Sequence, residues 1–551
     1  MIVNTIGWVI VVLGATPGGD GPALHHQPRT GPVIPAAFRR DIGTTPTGTF
    51  RVWVFFTDKN IRSTAEYEAA LAARKGELSQ RALHRRSLRR TAPGLLDHRD
   101  LAPAREYVTV VCDTGVGLRR QSRWLNAVSV EATPQQIEAM ARLLFVRRIK
   151  RLAHAAVRPP LPAAPHGSGP RDGDPPWYGQ SYDQLHQINV VAAHNAGYTA
   201  DGILIGILDT GFRRTHDAFN QPGHVVNIVD EYDFVDDDDN TAPELGDPEG
   251  QHDHGTYILG TLGAYHPNIL MGGAYDAAFL LAKTEDITQE VPEEEDQYVL
   301  GLEWIEANGA DMATSSLGYI DWYDQSDLDG QTATTTVAVN TATANGLFCC
   351  TAAGNSFHDS DPGTSHLIAP ADAFEVLTCG AVYDDGWIVY FSSDGPTADG
   401  RVKPEVLARG YDTRTVAPWN NTDIVGVDGT SLSTPLVAGA VALILQAHPD
   451  WTVDKVRRSL LHTAEDFMAD ATYDPYYVRG YGILDAMAAI EFVHSDIDDS
   501  GAANGEDVRP FVEALLGTNP DPDETRRADI NADGAVDMDD IPVFISDLLG
   551  E

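Results

Sequence analysis

The sequence is poor in positive charge and in cysteine. It carries 39 lysines and arginines against 80 aspartates and glutamates, a formal net charge of −41, and has 4 cysteines in 551 residues. Because so negative a chain repels phosphate backbones, nucleic acid is excluded as the expected partner, and a very soluble, secreted or cell-surface protein is favoured. Four cysteines are too few for a disulfide framework.

Two of the cysteines, Cys349 and Cys350, lie together in an apolar run that predicts a buried strand. We expect them to be buried as small hydrophobic side chains. A disulfide between one of them and Cys379 is the alternative.

Patterns for a membrane span and for a zinc protease are also missing. The apolar run at residues 436–445 is too short to cross a bilayer. No His-Glu-x-x-His is present, and His252 and His254 have no third ligand at a suitable spacing. The acidic stretch at residues 230–249 is predicted to be a solvated loop rather than a calcium site.

The stretch that organises the chain places Ser431 at the start of an apolar helix. Residues 436–445 are apolar on every side, as in a buried helix, and Pro435 fits the first turn. A serine there lies beside free backbone N–H groups at the positive end of the helix dipole, where an oxyanion can be stabilised. Taken alone, the pattern also fits a simple N-cap of a core helix.

Two possible partners of this serine lie upstream. Residues 203–208 predict a buried parallel strand that ends at Asp209, and His254 opens a helix of small residues. In open α/β sheets, ligands bind at the carboxyl ends of such strands. The order Asp, His, Ser along the chain is one of the known orders of a serine triad.

In these motifs the sequence resembles the subtilisin-like serine proteases, over about residues 178–493. The matching blocks are Asp209-Thr210-Gly211, His254-Gly255-Thr256, Ser316-Leu317-Gly318, Ala352-Ala353-Gly354-Asn355 and Gly429-Thr430-Ser431-Leu432-Ser433-Thr434-Pro435. The resemblance implies an α/β, three-layer fold with a mostly parallel sheet. It also implies a catalytic triad of Asp209, His254 and Ser431 without a cofactor, an oxyanion donor at Asn355, and substrate-binding backbone at Ser316, Leu317, Gly318, Ala353 and Gly354.

The resemblance therefore predicts a secreted serine endopeptidase that is made as a zymogen and acts on protein or peptide substrates. Two alternatives stay open at this stage. An esterase or peptide ligase uses the same triad, and a catalytically silent, calcium-dependent binding scaffold keeps the fold without the chemistry.

The chain before residue 50 is predicted to hold a signal peptide and a linker. Residues 1–15 contain a short apolar run that ends in small residues, as in an export signal, although no lysine or arginine precedes it. Residues 16–49 are rich in Pro, Gly and His and predict a linker.

Residues 50–157 predict a small ferredoxin-like α+β domain that resembles the inhibitory propeptide of subtilases. The predicted strands are 51–56, 107–112, 125–130 and part of 143–151, with helices at 63–80 and from Thr133. Residues 36–160 have a net charge near +12 and the rest of the chain near −53. These opposite net charges favour binding of this domain to its own protease domain, at residues 177–493. Residues 158–176 are a Pro/Gly-rich linker where processing is expected.

Residues 494–551 contain a duplicated acidic loop with the ligand spacing of a calcium site. Oxygen side chains fall at loop positions 1, 3, 5, 9 and 12, with glycine at position 6, and the repeats are 33 residues apart. The expected ligands are Asp496, Asp498, Ser500, Asn504 and Asp507, and Asp529, Asn531, Asp533, Asp537 and Asp540. The pair resembles a type I dockerin, a small α-helical module, which implies structural calcium and a cohesin-like partner.

Overall fold

The structure is a computed structural model that describes residues 24–45, 47–152, 177–288 and 293–550. The predicted signal peptide and the predicted linker at 158–176 lie outside these residues. We call residues 24–152 the N-terminal domain, 177–493 the central domain and 494–550 the C-terminal module.

The N-terminal domain is a four-stranded antiparallel sheet with helices between its strands. In chain order its elements are α1 (Ala36–Thr44), β1 (Phe50–Phe56), α2 (Thr64–Lys75), α3 (Gln80–Arg89), α4 (Arg105–Cys112), β2 (Gly117–Ser122), β3 (Ala127–Ala132), α5 (Pro134–Ala141) and β4 (Val146–Arg151). The sheet order is β2-β3-β1-β4. With helices between β1 and β2 and between β3 and β4, this is the ferredoxin-like arrangement that the sequence predicts.

Two predictions for this part of the chain are wrong. Residues 107–112 form the end of α4 and not a strand: their valines suggested β-structure, but Val108 and Val111 are the buried side chains, three residues apart as on a helix face. The predicted linker at 16–49 contains α1, whose Phe38 and Ile42 are buried in the core of the domain with Phe50. The helix was missed because Gly and Pro surround its short apolar pattern.

The central domain is built on a seven-stranded parallel sheet. Its elements are α6 (Tyr182–Gln187), α7 (Val190–Asn195), β5 (Leu204–Asp209), β6 (Asn220–Gln221), β7 (His224–Val225), β8 (Asn227–Asp233), α8 (Asp253–Gly263), β9 (Tyr265–His266), β10 (Leu270–Met271), β11 (Ala278–Lys283), α9 (Glu293–Asn308), β12 (Met312–Ser315), α10 (Thr334–Ala344), β13 (Phe348–Ala352), β14 (Leu377–Val382), β15 (Val406–Arg409), β16 (Thr413–Val416), β17 (Ile424–Val427), α11 (Thr430–Ala447), α12 (Val453–His462), α13 (Glu465–Asp470) and α14 (Ala486–Glu491).

The sheet order is β15-β14-β13-β12-β5-β11-β8, and every pair in it is parallel. Because successive side chains of a strand point to opposite faces, β5 contributes to two cores. Ile205 and Ile207 pack on the side of α8 and α11, while Leu204 and Leu208 pack on the side of α9 and α10. The predicted three-layer α/β fold with a mostly parallel sheet is confirmed.

Helix α11 is the buried helix that the sequence predicts. It is the one helix within the described ranges that is long and apolar enough to cross a membrane, and 89% of its apolar window is buried inside the protein. Its apolar surface is therefore accounted for by packing in the core.

The C-terminal module has three helices, α15 (Val508–Leu515), α16 (Pro522–Ala528) and α17 (Asp540–Leu549). Phe511 of α15 and Phe544 of α17 stack with ring centroids 4.1 Å apart. The exposed residues of the two outer helices include Val512 and Ile545. The sequence pattern alone would have placed these two side chains in the buried stripe.

All four cysteines are free thiols, so the alternative of a disulfide to Cys379 is wrong. Burial raises the pKa of the Cys349 thiol to about 12, which fits an inert core side chain.

Candidate active site

Asp209 and His254 are joined by a hydrogen bond at the carboxyl edge of the sheet. Asp209 ends β5 and is fully buried, and its Oδ1 lies 2.8 Å from Nδ1 of His254, in the first turn of α8. Burial disfavours the imidazolium, but the charge of Asp209 and this hydrogen bond outweigh it and raise the pKa of His254. The geometry fixes which ring nitrogen faces the carboxylate and stabilises the protonated ring.

Two glycines allow α8 to approach the turn after Asp209 so closely. A Cβ on Gly255 would lie 2.3 Å from the carbonyl oxygen of Gly211 and 3.1 Å from Cβ of Asp209. Gly211 has φ +116°, and a Cβ there would lie 2.4 Å from the ring of His252. Any side chain at either position would push the histidine helix away from the aspartate.

Ser431 lies in the first turn of α11, beside the end of β12. Its hydroxyl donates to the carbonyl oxygen of Ser316 at 3.2 Å, and the hydroxyl of Ser316 donates to the carbonyl oxygen of Ser431 at 2.8 Å. Within the described part of the chain, Ser431 and His254 share no hydrogen bond. A rotation of the serine side chain is therefore needed before the proton can pass to the ring, and catalytic hydrogen bonds of free enzymes are commonly formed only with substrate.

Asn355 is held in one orientation by Thr430. The Oδ1 of Asn355 accepts from the backbone N–H of Thr430 at 2.9 Å and from its hydroxyl at 3.0 Å. A Cβ built on Gly429 would lie 3.7 Å from Nδ2 of Asn355 and 3.5 Å from the backbone N of Ser431, so these two N–H donors lie near the same point beside the serine. Two donors in such a position are able to stabilise an oxyanion.

The segments predicted to bind substrate leave the same edge of the sheet. Ser316, Leu317 and Gly318 follow β12, and Ala353 and Gly354 follow β13, its parallel neighbour. Ile368 packs against both segments, because a Cβ on Gly318 would lie 2.1 Å from its side chain and a Cβ on Gly354 would lie 3.2 Å from it. These two stretches of backbone flank the serine.

The acidic stretch near the site is organised around a lysine. The Nζ of Lys283 lies 2.7 Å from Asp233, 3.1 Å from Asp236 and 3.5 Å from Asp247. Although burial opposes the charge, these carboxylates raise the pKa of Lys283. The chain itself supplies the cation at the centre of this stretch.

The two acidic loops of the C-terminal module have the same internal hydrogen bonds. Asp507 accepts from the N–H groups of Ile497 and Asn504, both at 2.7 Å. Asp540 accepts from the N–H groups of Ile530 and Asp537, both at 2.8 Å. Each last carboxylate therefore closes its own loop in the same way.

The carboxylates of the first loop converge, and those of the second loop lie near enough to affect one another's pKa. Asp496, Asp498 and Asp507 place one oxygen each within 4.8 Å of the others. In the second loop, burial and the nearby charges of Asp540 and Asp533 raise the pKa of Asp529 to about 7. Such crowded oxygen ligands fit a hard divalent cation.

Sequence motifs did not identify the residues that orient this site. Thr430 fixes the amide of Asn355, and the hydroxyl of Thr210 accepts from the N–H of Gly255 at 3.2 Å, which ties the histidine helix to the aspartate turn. Both threonines lie inside the quoted motifs, but their partners are 45 and 75 residues away in the chain.

Comparison with known proteins places the chain in a family. Residues 200–483 match the model of the subtilase family, and residues 51–163 match the model of the peptidase S8 propeptide domain of Bacteroidota. Subtilisin of Bacillus pumilus is 30% identical over 311 residues, which are 56% of this chain and 98% of that protein. Subtilisin E of Bacillus subtilis is 27% identical over 388 residues, 69% of this chain and 85% of that protein.

Among solved structures, fervidolysin from Fervidobacterium pennivorans, a keratinolytic enzyme related to subtilisin, matches with a TM-score of 0.55 and 19% identity. The match covers 71% of this chain and 60% of that one, and it supports the fold alone. The family model covers just over half of the sequence, and a subtilisin is matched over nearly its whole length. The chain therefore belongs to the subtilase family of serine endopeptidases and carries the family's propeptide domain.

Proposed function

We propose that this protein is a secreted serine endopeptidase, made as a zymogen, in which Asp209, His254 and Ser431 form the catalytic triad. The observation that carries the proposal is the 2.8 Å hydrogen bond between buried Asp209 and Nδ1 of His254 in α8, a helix that packs against α11, where Ser431 lies in the first turn. The strongly negative charge supports the location.

In the proposed reaction, Oγ of Ser431 attacks the carbonyl carbon of the scissile peptide while Nε2 of His254 takes the hydroxyl proton. Nδ2 of Asn355 and the N–H of Ser431 stabilise the oxyanion of the tetrahedral intermediate. The imidazolium then gives its proton to the leaving amine as the C–N bond breaks. Water hydrolyses the acyl-enzyme by the same steps, which restores the serine.

The substrate is proposed to bind as an extended strand between two segments of backbone. Ser316, Leu317 and Gly318 supply one edge, and Ala353 and Gly354 supply the other. Main-chain pairing of this kind gives affinity without requiring one particular side chain. It is consistent with an endopeptidase that acts within protein chains.

The decisive experiment compares the purified protein with its Ser431→Ala variant on casein and on a p-nitrophenyl ester, with and without a serine-directed inhibitor. The proposal expects inhibitor-sensitive hydrolysis of casein that the variant lacks. Activity on the ester alone would instead support the esterase alternative. Full casein hydrolysis by Ser431→Ala would refute the triad, and no activity toward either substrate would support the silent scaffold.

The N-terminal domain is proposed to inhibit the central domain until it is cut away. Trp53 of β1, with Trp124 and Leu125 from the turn between β2 and β3, is buried in one cluster with Tyr298 and Leu302 of α9. The proposed cut lies between residues 155 and 178. Mass spectrometry of the secreted active protein should find its N-terminus there, and an active enzyme that retains Phe50 would contradict this role.

The loops of the C-terminal module are proposed to bind structural calcium, through Asp496, Asp498, Ser500, Asn504 and Asp507 and through Asp529, Asn531, Asp533, Asp537 and Asp540. A bound calcium ion would neutralise the converging carboxylates and so stabilise a module that has little apolar area of its own. Calorimetric titration should find two calcium ions in the module. Binding of fewer than two would remove the dockerin-like interpretation.

A cohesin-like protein is the partner proposed for this module. Apolar side chains stay exposed on both outer helices, among them Val512 and Leu516 on α15 and Ile545 and Leu549 on α17. Binding should weaken in a Val512→Asp variant. If no cohesin binds the calcium-loaded protein, this partner is ruled out.

A further inference from the structure

Helix α3 of the N-terminal domain is an unusual contact element because it is both arginine-rich and buried. It carries Arg81, Arg85, Arg86 and Arg89 within ten residues, and the last three are buried. Arginine is almost never fully buried unless it is paired. The partners of these side chains therefore decide what the helix does.

The main partner is a single carboxylate of the central domain. Glu306 of α9 accepts from Nε and Nη2 of Arg86, both at 2.8 Å, and from Nη2 of Arg85. The side chains of Arg85 and Glu306 are each 1% exposed. Asp100 of the N-terminal domain lies 2.7 Å from Arg86 and holds this guanidinium in place.

The arginines also bind the carboxyl end of α9. Nη1 of Arg85 donates to the carbonyl oxygens of Glu306 and Ala310, and Nε of Arg81 donates to that of Gly309 at 3.0 Å. The last carbonyls of a helix have no intrahelical partner and lie at the negative end of its dipole. Guanidinium groups satisfy both the hydrogen bonds and the charge.

This contact is separate from a second contact between the two domains, which lies nearer the N-terminus of α9. There, Glu303 accepts from the hydroxyl of Ser122 at 2.6 Å and from the N–H of Trp124 at 3.2 Å. In the part of the chain that the structure describes, the Glu306 carboxylate has its hydrogen bonds from Arg85 and Arg86 alone. Burial alone would raise the pKa of Glu306, but these guanidinium groups lower it.

We propose that α3 is a guanidinium lock that keeps the N-terminal domain on the central domain after the chain between them is cut. The acceptor is a pocket for paired guanidinium groups, formed by Glu306, by the carbonyls at the end of α9, and by Asp311, which pairs with Arg81 and Arg89. Release of α3 sets the rate at which free enzyme appears, since breaking a buried hydrogen-bonded charge pair acts mainly on the dissociation rate. The proposal rests on the proposed inhibitory role of the domain.

The first test uses the full chain with Arg85→Ala and Arg86→Ala. After self-processing, the release of the N-terminal domain is followed by size-exclusion chromatography and by the lag before peptide hydrolysis. We expect release on the order of 10²-fold faster than in the unchanged protein. The matched control, Arg40→Ala with Arg105→Ala, removes the same charge from exposed positions and should change release by less than about threefold.

Two further variants separate the lock from a folding defect. Glu306→Gln should speed release to a similar extent from the other side of the contact. Arg85→Lys with Arg86→Lys should give only partial recovery, because lysine cannot form the two parallel bonds. Equal release rates for the buried and exposed double variants would overturn the proposal.

Hydrogen exchange provides a readout that does not depend on processing. In the full chain with Ser431→Ala, adding Arg85→Ala and Arg86→Ala should speed exchange at residues 80–89 and 306–311 and leave residues 122–125 unchanged. Uniform acceleration over the whole interface would show that no separate lock exists. If the uncut protein without substitutions is fully active, the N-terminal domain is not an inhibitor. The hydrogen-exchange comparison then still tests whether α3 forms a separate contact.

Discussion

The active site and the C-terminal module are built in opposite ways. The proposed active site joins Asp209, His254, Asn355 and Ser431, which come from four segments spread over more than 200 residues. Each calcium loop takes its proposed ligands from 12 consecutive residues. The difference predicts that changes in the active site abolish the chemistry and spare the fold, whereas changes in the loops affect stability and spare the chemistry.

The two loops are themselves not equivalent, because position 4 of the second loop is packed on the central domain and position 4 of the first loop is exposed. At loop position 4, the side chain of Asp499 is 80% exposed, whereas Ala532 is fully buried in the core cluster of the central domain. The carbonyl oxygen of Ala532 accepts from the hydroxyl of Tyr481, and that of Ile530 accepts from His462 at 3.1 Å. In the first loop, the carbonyl of Ile497 is bound by Arg527 within the module.

Helix α17 adds an ion pair to this interface. Asp547 accepts from both terminal nitrogens of Arg458, at 3.0 and 3.2 Å, and from the hydroxyl of Ser495 at 2.8 Å. The side chains of Arg458 and Asp547 are almost fully buried. The second repeat is therefore packed on the central domain, although it has the same ligand spacing as the first repeat.

Ser431→Ala should have the largest effect on chemistry. We expect kcat to fall on the order of 10⁶-fold, a magnitude taken from the removal of subtilisin's own serine, with an unchanged Tm. Steady-state hydrolysis of a peptide substrate and calorimetry on the same preparation measure the two quantities. A variant that loses stability as well would show that the serine contributes to packing. That result would contradict the expectation that changes in the active site spare the fold.

Asp209→Asn should lower kcat by about 10⁴-fold and shift the pH profile. His254 acts as a base only when neutral, so its raised pKa places the acidic limb of kcat/KM above about 6.5, the ordinary value for histidine. Removing the carboxylate removes this rise, and the limb of the residual activity moves to lower pH. Profiles between pH 5 and 9 test this, and an unmoved limb would mean that another group titrates.

Asn355→Ala should lower kcat on the order of 10²- to 10³-fold and leave KM nearly unchanged, a magnitude taken from the oxyanion amide of subtilisin. The amide acts only on the charge that develops in the intermediate. Thr430→Val provides a matched test, because it removes the hydroxyl that donates to Asn355 while leaving the donor itself. A wild-type kcat for Asn355→Ala would locate the oxyanion donor elsewhere.

Matched changes in the two calcium loops should have the smallest effect on catalysis and should differ in stability. With calcium at about 100 times its Kd, Asp529→Ala should lower the Tm of the central domain by about 5–10 °C. Asp496→Ala should leave that transition within about 2 °C, since the first loop does not contact the central domain at position 4. Both variants should keep kcat at 25 °C.

Calorimetry of the full chain, with calcium and with chelator, measures these shifts. Equal losses in the two variants would show that the packing of the second loop adds nothing to the central domain. A change in kcat at 25 °C would contradict the separation of the module from the chemistry.

Much of the architecture was predictable because its patterns are local. Alternation and apolar runs located β1, β3 and β5, and Thr133-Pro134 marked the start of α5, where a capping box is present. The strand predicted at 107–112 failed because β-branched residues favour strands only where the sheet has a place for them, and here Val108 and Val111 fill a helix face. The apolar spacing of α15 includes Val512, which stays exposed because the buried face of this short helix is formed by Pro510, Phe511 and Ala514.

The sequence by itself determined the order of the three predicted catalytic motifs, the opposite net charges of the first domain and the remainder, and the duplicated loop. Each of these features depends only on residues that are close together in the chain or on composition. Only the tertiary structure decided the orientation of Asn355 by Thr430, the burial of Arg85 and Arg86 on Glu306, and which of two loops with the same ligand spacing packs on the central domain. These depend on contacts between residues that are 51 to 221 positions apart. Packing between distant elements, and not local propensity, fixes which polar groups meet and lose water.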